Sequence, residues 1–183
     1  MSMLLEEILR KIRAARVKKY ISPNAVVLDV GCGQSAFLLN SIKNLIAKGY
    51  GFDKKINDFR QDNLEICNSN LEKEIDLPDN TADLVAMLAV LEHLRHPEQI
   101  LAECYRTLKT GGRMIITTPS PPAKPILEFL AFKLGVLDKK EIGEHLNYFT
   151  LNQLKDILIH FGFKIIKAGY FEFGFNLFVV ADK

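Results

Sequence analysis

One short segment, residues 26–35, constrains the fold of this chain more than any other feature. Its sequence, VVLDVGCGQS, joins a continuous apolar run to an acid and then to two glycines separated by one residue. Such an apolar run is typical of a central parallel strand buried on both faces, and the glycines allow a tight turn next to a ligand. Apolar residues at helical spacing follow, which predicts a helix over residues 36–48. A strand, a glycine turn and a helix in this order bring backbone N–H groups to one point, where a nucleotide-like ligand can bind.

Length, composition and charge limit the class of protein. The chain has 183 residues, 48% hydrophobic and 25% charged, which predicts one globular domain over residues 1–183. A formal net charge of +2 argues against a dedicated nucleic-acid-binding protein, which would be more basic. The three cysteines lack metal-ligand spacing, so we expect buried reduced thiols, no metal ion and a cytoplasmic location. We expect neither a membrane span nor a signal peptide, because no apolar run reaches the roughly 18 residues of a span.

The start of the chain combines apolar residues at helical spacing with a run of cations. This pattern predicts an amphipathic helix over residues 1–20. The cations of the run are Arg10, Lys11, Arg13, Arg16, Lys18 and Lys19. Three interpretations stay open: a helix packed on the domain with solvated cations, a patch for RNA or an anionic membrane, and a lid over the ligand.

The middle of the chain alternates between strand-like and helix-like segments. Four further strands are predicted, at residues 49–53, 64–68, 82–89 and 113–118. Residues 54–64 are polar and predict a loop or one short helix. Pro97 suits the first turn of a helix, which Lys109 and two following glycines are predicted to close. The alternation of strands and helices predicts a parallel α/β sheet.

The C-terminal part departs from this alternation. Residues 119–144 contain several prolines and then become apolar, which predicts an insertion with one helix outside the repeating pattern. Thr150 and Gln153 predict a capping box at the start of the next helix. Residues 163–168 and 173–181 are predicted to form an antiparallel hairpin at one edge of the sheet.

Two aspartates help to identify the ligand. Gly31, Gly33 and Ala36 also satisfy the dinucleotide pattern G-x-G-x-x-A, so an NAD-dependent oxidoreductase must be considered. Asp29 argues against a pyrophosphate, which it would repel, and favours S-adenosyl-L-methionine, which carries an ammonium and a sulfonium. Asp53 ends the second predicted strand, where a ribose-binding acid is expected, although alone it could be a turn aspartate.

Four segments resemble the small-molecule branch of the class I S-adenosyl-L-methionine-dependent methyltransferases (type 11/23-like). In chain order they are VLDVGCG at residues 27–33, LAVLEHLRHPEQIL at 88–101, YRTLKTGGR at 105–113, and residues 144–163, which begin EHLNYFT. The resemblance runs from about residue 25 to the end of the chain. It implies a Rossmann-like, doubly wound, mostly parallel seven-stranded sheet with a C-terminal antiparallel hairpin.

The resemblance also implies a cofactor site. Asp29 would orient or neutralise the methionine ammonium, and Asp53, with Lys54 beside it, would accept both ribose hydroxyls. The other implied cofactor contacts are Gly31, Cys32, Gly33, Asn70, Leu71 and Ala89. The chain departs from the usual pattern at four positions, where other residues are common: Ser35, Asn70, Ala82 and Thr110.

The implied reaction is an in-line displacement that moves a methyl group to a small-molecule or lipid-like acceptor and leaves S-adenosyl-L-homocysteine. The protein would position the acceptor, exclude water and accept a proton. His93 and His145 are expected on the substrate side, as substrate contacts or a base, or else as residues that brace a helix end and a loop.

The substrate-side insertion, residues 119–144, could provide an apolar acceptor pocket, a membrane-facing lip, a dimer contact or ordinary core packing. We expect a monomer or a homodimer. Two further functions stay open: a protein that binds S-adenosyl-L-methionine as a sensor or partner without catalysis, and the NAD-dependent oxidoreductase.

Overall fold

The computed structural model describes residues 2–71, 74–133, 135 and 137–183. Within them it contains eight strands: β1 Val26–Val30, β2 Lys48–Asp53, β3 Phe59–Gln61, β4 Leu64–Asn68, β5 Ala82–Leu88, β6 Leu108–Pro119, β7 Lys164–Phe171 and β8 Asn176–Asp182. The same residues form six α-helices: α1 Ser2–Lys18, α2 Phe37–Ile42, α3 Pro97–Thr107, α4 Ala123–Glu128, α5 Lys139–Gly143 and α6 Leu151–His160.

The strands form one sheet in the order β3-β4-β2-β1-β5-β6-β8-β7. The five strands β1, β2, β4, β5 and β6 pair in parallel, whereas β8 pairs antiparallel with both β6 and β7. Strand order runs in opposite directions on the two sides of β1, as in a doubly wound sheet. This confirms the Rossmann-like, mostly parallel sheet and its C-terminal antiparallel hairpin.

The predicted number of seven strands is wrong, because β3 adds an eighth. β3 pairs antiparallel with β4 inside the segment that was expected to be a loop or a short helix. Its three residues, Phe59–Gln61, show no apolar alternation. Arg60 lies opposite Glu65 and forms an ion pair with it across the two strands. Pairing with β4, rather than any local pattern, therefore makes this segment a strand.

Strand β1 is covered on both faces, as its apolar run predicts. On one face Leu28 belongs to a buried cluster that includes Leu101 of α3. On the other face Val27 belongs to a cluster that includes Val17 of α1. Burial on both sides fixes β1 at the centre of the sheet, so the turn that follows it has a rigid support.

Helix α1 confirms the predicted N-terminal helix, although it ends at Lys18 rather than at residue 20; Met1 lies outside the described residues. Ala14 and Val17 are buried in the core. The guanidinium of Arg16 lies 4.3 Å from the centre of the Phe171 ring. The helix is thus packed on the domain. Among the residues described, no helix is long and apolar enough to cross a membrane.

Several element boundaries differ from the prediction. Helix α2 ends at Ile42 instead of residue 48, and α3 ends at Thr107. Lys109 and the two glycines after it therefore belong to β6, at a point where its register with β5 shifts. The hairpin strands lie at Lys164–Phe171 and Asn176–Asp182, and the capping box of α6 is confirmed. All three cysteines are free, but Cys67 is only partly buried.

The insertion, residues 119–144, is less regular than the single helix expected. It contains α4, a π-helical turn at Phe129–Lys133 and α5; residues 134 and 136 lie outside the described part. Leu127 and Leu130 face a cavity of the domain, whereas Phe129 and Phe132 are exposed. Single-turn π segments are rare and often lie at functional sites.

Candidate functional site

A cavity of about 850 Å³ lies at the carboxyl ends of β1, β2 and β5. This is the edge at which open α/β sheets bind their ligands. Three further elements complete its walls: α1, the insertion and the turn between β7 and β8. Its volume lies within the range of about 300 to 1,000 Å³ that is usual for ligand pockets.

The turn after β1 brings bare backbone to the cavity. Gly31 and Gly33 both have left-handed φ angles, of 77° and 69°. A Cβ atom on Gly31 would lie 2.2 Å from Cγ2 of Val90, so the backbone there is in close contact with the protein itself. A Cβ atom on Gly33 would meet no atom within 4 Å. The backbone at Gly33 is therefore open to a ligand, while Gly31 is needed for packing.

Asp53 connects the second strand to this turn. Its Oδ2 accepts a hydrogen bond of 2.9 Å from the Gly33 N–H, and its Oδ1 accepts one of 2.8 Å from the Lys55 N–H. Because a carboxylate has about four lone-pair positions, both oxygens can still accept a hydrogen bond from a ligand. The half-buried carboxylate is thus held rigidly at the cavity wall.

Asp29 is a buried acid of the cavity lining, with 3% of its surface exposed. Burial, and then the nearby Asp53 carboxylate, raise the pKa of Asp29 to about 7. Burial likewise raises the pKa of the Cys32 thiol, which stays protonated. A carboxylate with a raised pKa is a favourable site for a ligand cation, since a positive charge would stabilise its ionised form.

The structure brings all nine predicted cofactor residues into the lining of this one cavity: Asp29, Gly31, Cys32, Gly33, Asp53, Lys54, Asn70, Leu71 and Ala89. Ala89 has a left-handed φ of 56°, uncommon for a residue with a Cβ. The ammonium of Lys54 lies 3.9 Å from Oε2 of Glu144, so the segment after β2 is in contact with the insertion. The individual roles of these residues stay predictions.

The two predicted histidines lie together on the cavity wall. Their rings meet edge to face with centres 4.7 Å apart, and Nδ1 of His145 lies 2.9 Å from the Tyr148 hydroxyl. Burial, followed by His93 and Arg13, lowers the pKa of His145 to about 4. His145 is therefore neutral at pH 7.

The loop that carries His145 is tied to the loop after β5. The N–H groups of Leu146 and Asn147 donate to the Glu92 carbonyl, at 2.8 and 3.1 Å. The buried carboxylate of Glu92 accepts a hydrogen bond of 2.9 Å from the Thr118 hydroxyl. These bonds hold the histidine pair in place.

Glu92, His93 and His145 are the described residues whose ligand atoms are close enough to consider a metal ion. Those atoms lie within 4.8 Å of one another. Two ligands of an ion with bonds of about 2.1 Å can be at most about 4.2 Å apart, so this spacing would have to contract. The expectation that the site holds no metal stays a prediction.

Sequence reasoning missed several cavity residues. Arg10 and Arg13 of α1 line the cavity, and Arg10 Nη1 lies 3.3 Å from the Ser35 hydroxyl. Helix α1 is therefore both packed on the domain and part of the cavity wall, which favours the lid interpretation. Glu172 lines the cavity from the turn between β7 and β8, and Asn176 lines it from the start of β8. The basic run was a signal for the arginines, whereas nothing in the local pattern marked Glu172.

Comparison with known proteins places the chain in a family. A family model described as a methyltransferase domain matches residues 4–168. The chain is 32% identical over 104 residues to a ubiquinone/menaquinone biosynthesis C-methyltransferase of Hahella chejuensis, covering 57% of this chain and 33% of that protein. It is 27% identical over 129 residues to the mitochondrial ubiquinone biosynthesis O-methyltransferase of Mus musculus, covering 64% and 33%. The chain thus spans about a third of the length of these two relatives.

A solved structure supports the same fold over the whole chain. The S-adenosylmethionine-dependent methyltransferase of Archaeoglobus fulgidus superimposes with a TM-score of 0.69 at 21% identity, covering 99% of both chains. The family model covers most of this chain, and the glycine turn lies at the edge where open α/β sheets bind their ligands. The chain therefore belongs to the class I S-adenosyl-L-methionine-dependent methyltransferases, the family whose cofactor is S-adenosyl-L-methionine.

Proposed function

We propose that this chain transfers a methyl group from S-adenosyl-L-methionine to a small-molecule or lipid-like acceptor. The cavity carries this proposal, because its lining combines two kinds of surface. Part of the lining is the glycine turn with Asp29 and Asp53, and part is the apolar side chains of the insertion, among them Leu127 and Leu130. A cofactor and an apolar acceptor can therefore meet in one cavity.

The residues present suit the cofactor. Asp53 can accept the ribose hydroxyls, Asp29 can neutralise the ammonium, and the open backbone at Gly33 leaves room for the nucleoside. Arg10 and Arg13 supply positive charge for the ligand carboxylate. S-adenosyl-L-methionine, when bound, supplies a methyl group already activated on a sulfonium. The protein's task is then to position the acceptor, exclude water and remove a proton.

His145 is the proposed proton acceptor for an acceptor hydroxyl or amine. In the tautomer that donates from Nδ1 to the Tyr148 oxygen, Nε2 carries no hydrogen and can take the proton that the acceptor loses. The lowered pKa keeps this nitrogen free of a proton above about pH 5. The two relatives are named for transfer to different atoms, carbon and oxygen, and a base is needed where the acceptor loses a proton from oxygen or nitrogen.

Replacing His145 with glutamine is expected to lower kcat by about 100-fold, with little effect on S-adenosyl-L-homocysteine affinity. Glutamine keeps a polar side chain but cannot take the proton. His160→Gln, on the exposed surface of α6, is the matched control and should retain kcat. The wild-type kcat should show no ionisation near pH 6.5, because the pKa of His145 is about 4. A kcat for His145→Gln within about threefold of wild type would exclude a role for this side chain as a base.

Two measurements test the proposed function directly. Calorimetric titration should show binding of S-adenosyl-L-homocysteine and none of NAD. Transfer from methyl-labelled S-adenosyl-L-methionine to a set of hydroxylated aromatic and lipid acceptors should give labelled product, equally with and without EDTA. Binding of NAD alone would overturn the proposal. Tight cofactor binding without transfer to any acceptor would favour a sensor or partner protein.

The cytoplasmic location and the monomeric or homodimeric state stay predictions.

Asp29 should make cofactor binding depend on pH. The free protein holds a proton on Asp29 below about pH 7, and a ligand ammonium would lower this pKa, so binding releases the proton. Affinity for S-adenosyl-L-homocysteine should fall as pH decreases from 7 to 5, by up to about tenfold per unit. Titrations in buffers of different ionisation enthalpy should detect proton release at pH 6. Asp29→Asn should remove both effects, and a pH-independent wild type would contradict the role.

The raised pKa of Asp29 also affects the stability of the free protein. This effect depends on pH in the opposite direction to the affinity for the cofactor. Folding favours the protonated form of Asp29, so this contribution is present near pH 4 and is lost as pH rises through about 7.

A further inference from the structure

The outward face of α1 carries apolar and cationic side chains together. The exposed positions of this face repeat at intervals of three and four residues and are Ile8, Lys11, Ile12, Ala15 and Lys18. The inner side of the helix is held in the core by Ala14 and Val17. The packing of α1 on the domain therefore leaves its two outward isoleucines in contact with solvent.

Exposed apolar side chains from two further elements lie beside this face. Three side chains both line the cavity and are exposed, so they lie at its opening: Ile12 of α1, Ile126 of α4 and Phe173 of the turn between β7 and β8. The Ser120 hydroxyl donates a hydrogen bond of 2.7 Å to the Gly174 carbonyl, which joins the insertion to this turn. The guanidinium of Arg16 over the Phe171 ring joins α1 to the same turn. We refer to Ile126, Phe173 and the outward face of α1 as the mouth surface.

Phe173 is presented to solvent by an unfavourable backbone. Its side chain is fully exposed. Glu172 and Phe173 are consecutive residues with left-handed φ angles, of 50° and 57°. Residues with a Cβ rarely adopt this conformation, and such strain is concentrated at functional sites. An exposed ring also adds no hydrophobic stabilisation to the fold. The turn therefore indicates a partner that buries the phenylalanine.

The charge of the mouth surface comes from α1. Residues 1–20 contain six lysines and arginines and two glutamates, a formal charge of +4, although the whole chain has only +2. The insertion, residues 119–144, contains four cations and four acids and is neutral. Lys11 lies 2.6 Å from Glu7, but both side chains are more than half exposed, so this pair is weak. Lysines beside exposed aliphatic side chains on one helix are typical of helices that lie in the interface of an anionic membrane.

We propose that the mouth surface docks on an anionic lipid bilayer. Phe173 and the two isoleucines of α1 enter the headgroup region, while Lys11 and Lys18 extend to the lipid phosphates. The opening of the cavity then faces the bilayer. This inference goes beyond the proposed function, because it concerns the outer surface of the domain and not the reaction in the cavity.

Two other partners fit the mouth surface less well. RNA would pair its phosphates with the lysines, but its phosphates give Ile8 and Ile12 no apolar contact. A second copy of the chain would present the same surface, since a symmetric dimer uses one patch on both subunits. Two helices of charge +4 would then meet and repel each other. An anionic bilayer complements both the apolar side chains and the charge.

A tryptophan reporter tests the docking. The chain contains no tryptophan, so Phe173→Trp introduces a single one at the mouth surface. Ile159→Trp is the control, because it is also exposed but lies on α6, which packs on the sheet face opposite to α1. With vesicles of equal parts phosphatidylcholine and phosphatidylglycerol, Phe173→Trp emission should shift to shorter wavelength and be quenched by lipids brominated on the acyl chains. Ile159→Trp should show neither effect.

Vesicle sedimentation measures the affinity of the wild type and of variants. Pure phosphatidylcholine vesicles, or high salt, should weaken binding at least about tenfold. Phe173→Asn should weaken binding to anionic vesicles about tenfold, since a ring that would be buried is lost. Asparagine tolerates the left-handed φ, so the melting temperature should not fall.

A pair of double variants tests the contribution of charge. Lys11→Gln with Lys18→Gln should weaken binding to anionic vesicles at least about tenfold. Lys164→Gln with Lys167→Gln makes the same charge change at exposed positions of β7 and should bind like the wild type.

Several outcomes would overturn the docking. These are no binding to anionic vesicles, binding without a shift in Phe173→Trp emission, and unchanged binding by Phe173→Asn. Tighter binding to polyuridylate than to vesicles would indicate an RNA surface instead. An emission shift of Phe173→Trp that grows with protein concentration in the absence of lipid would indicate a dimer contact. Binding of S-adenosyl-L-homocysteine is a separate readout: its failure would count against the proposed function and not against the docking.

Discussion

Replacing Asp53 with asparagine is expected to weaken S-adenosyl-L-homocysteine binding by roughly 100-fold. In the proposed site this carboxylate accepts hydrogen bonds from both ribose hydroxyls, and each bond to a charged group contributes about 1.5–3 kcal/mol. Asparagine retains one acceptor oxygen and replaces the other with an N–H₂ donor. Since Asp53 already accepts from the N–H groups of Gly33 and Lys55, this new donor must face either a backbone donor or the ligand.

Asp62→Asn is the matched control for this prediction. Asp62 is exposed, and its carboxylate pairs only with Lys43, at 3.1 Å, among the interactions that the structure describes for it. It also has a left-handed φ of 54°, which asparagine tolerates. Dissociation constants come from calorimetry, and melting temperatures without ligand separate lost binding from lost stability. A dissociation constant for Asp53→Asn within about threefold of wild type would remove Asp53 from the cofactor site.

Where the signal is local, the sequence predicts this structure closely. Strand β4 has the predicted bounds, and the capping box of Thr150 and Gln153 is present, because each depends on residues next to one another. The approach of Asp53 to Gly33 was also predictable. A strand, a helix and a second parallel strand have a nearly fixed geometry, so the spacing of the two motifs along the chain determines their spacing in space.

Features that arise only from tertiary pairing were not predictable. Strand β3 is polar and exists because it pairs with β4. Helix α2 is shorter than its apolar pattern suggests, since the chain must turn back to begin β2 at Lys48. The left-handed backbone of Phe173 falls at the start of the segment, residues 173–181, that was predicted to be a strand. In each case a neighbour distant in sequence overrides the local preference.

The candidate site shows the same difference between features that follow from local sequence and features that arise from tertiary packing. All predicted cofactor residues line the cavity, because they belong to motifs that end consecutive strands of one sheet. Arg13 of the first helix and Glu172 of the last turn line the same cavity, and no spacing rule connects two such distant positions. Sequence patterns therefore describe the part of a site that the sheet itself builds. The part that insertions and terminal helices build depends on how they pack across the sheet.

Replacing Gly31 with alanine should destabilise the protein by about 2–5 kcal/mol, even without any ligand. A left-handed φ of 77° costs a residue with a Cβ about 1–2 kcal/mol. The added Cβ would also lie 2.2 Å from Cγ2 of Val90 and 3.2 Å from its Cβ, so rotation of the valine side chain cannot relieve the overlap. Such overpacking costs a further 1–3 kcal/mol, roughly. In a chain of this size the melting temperature should fall by about 10 °C.

Two further variants separate the reasons for the two glycines of the turn. Gly31→Ala should cost less stability in a Val90→Ala background than in the wild type, because the 2.2 Å overlap with Cγ2 is removed, while the φ strain and the 3.2 Å approach of the two Cβ atoms remain. Gly33→Ala has the same φ strain, 69°, but no atom within 4 Å of the new Cβ. It should lower stability by only about 1–2 kcal/mol, yet weaken S-adenosyl-L-homocysteine binding, since its methyl group enters the cavity.

A Gly31→Ala protein that melts like wild type would show that contact with Val90 does not require glycine. A Gly33→Ala protein that binds the ligand normally would show that the ligand does not approach this backbone.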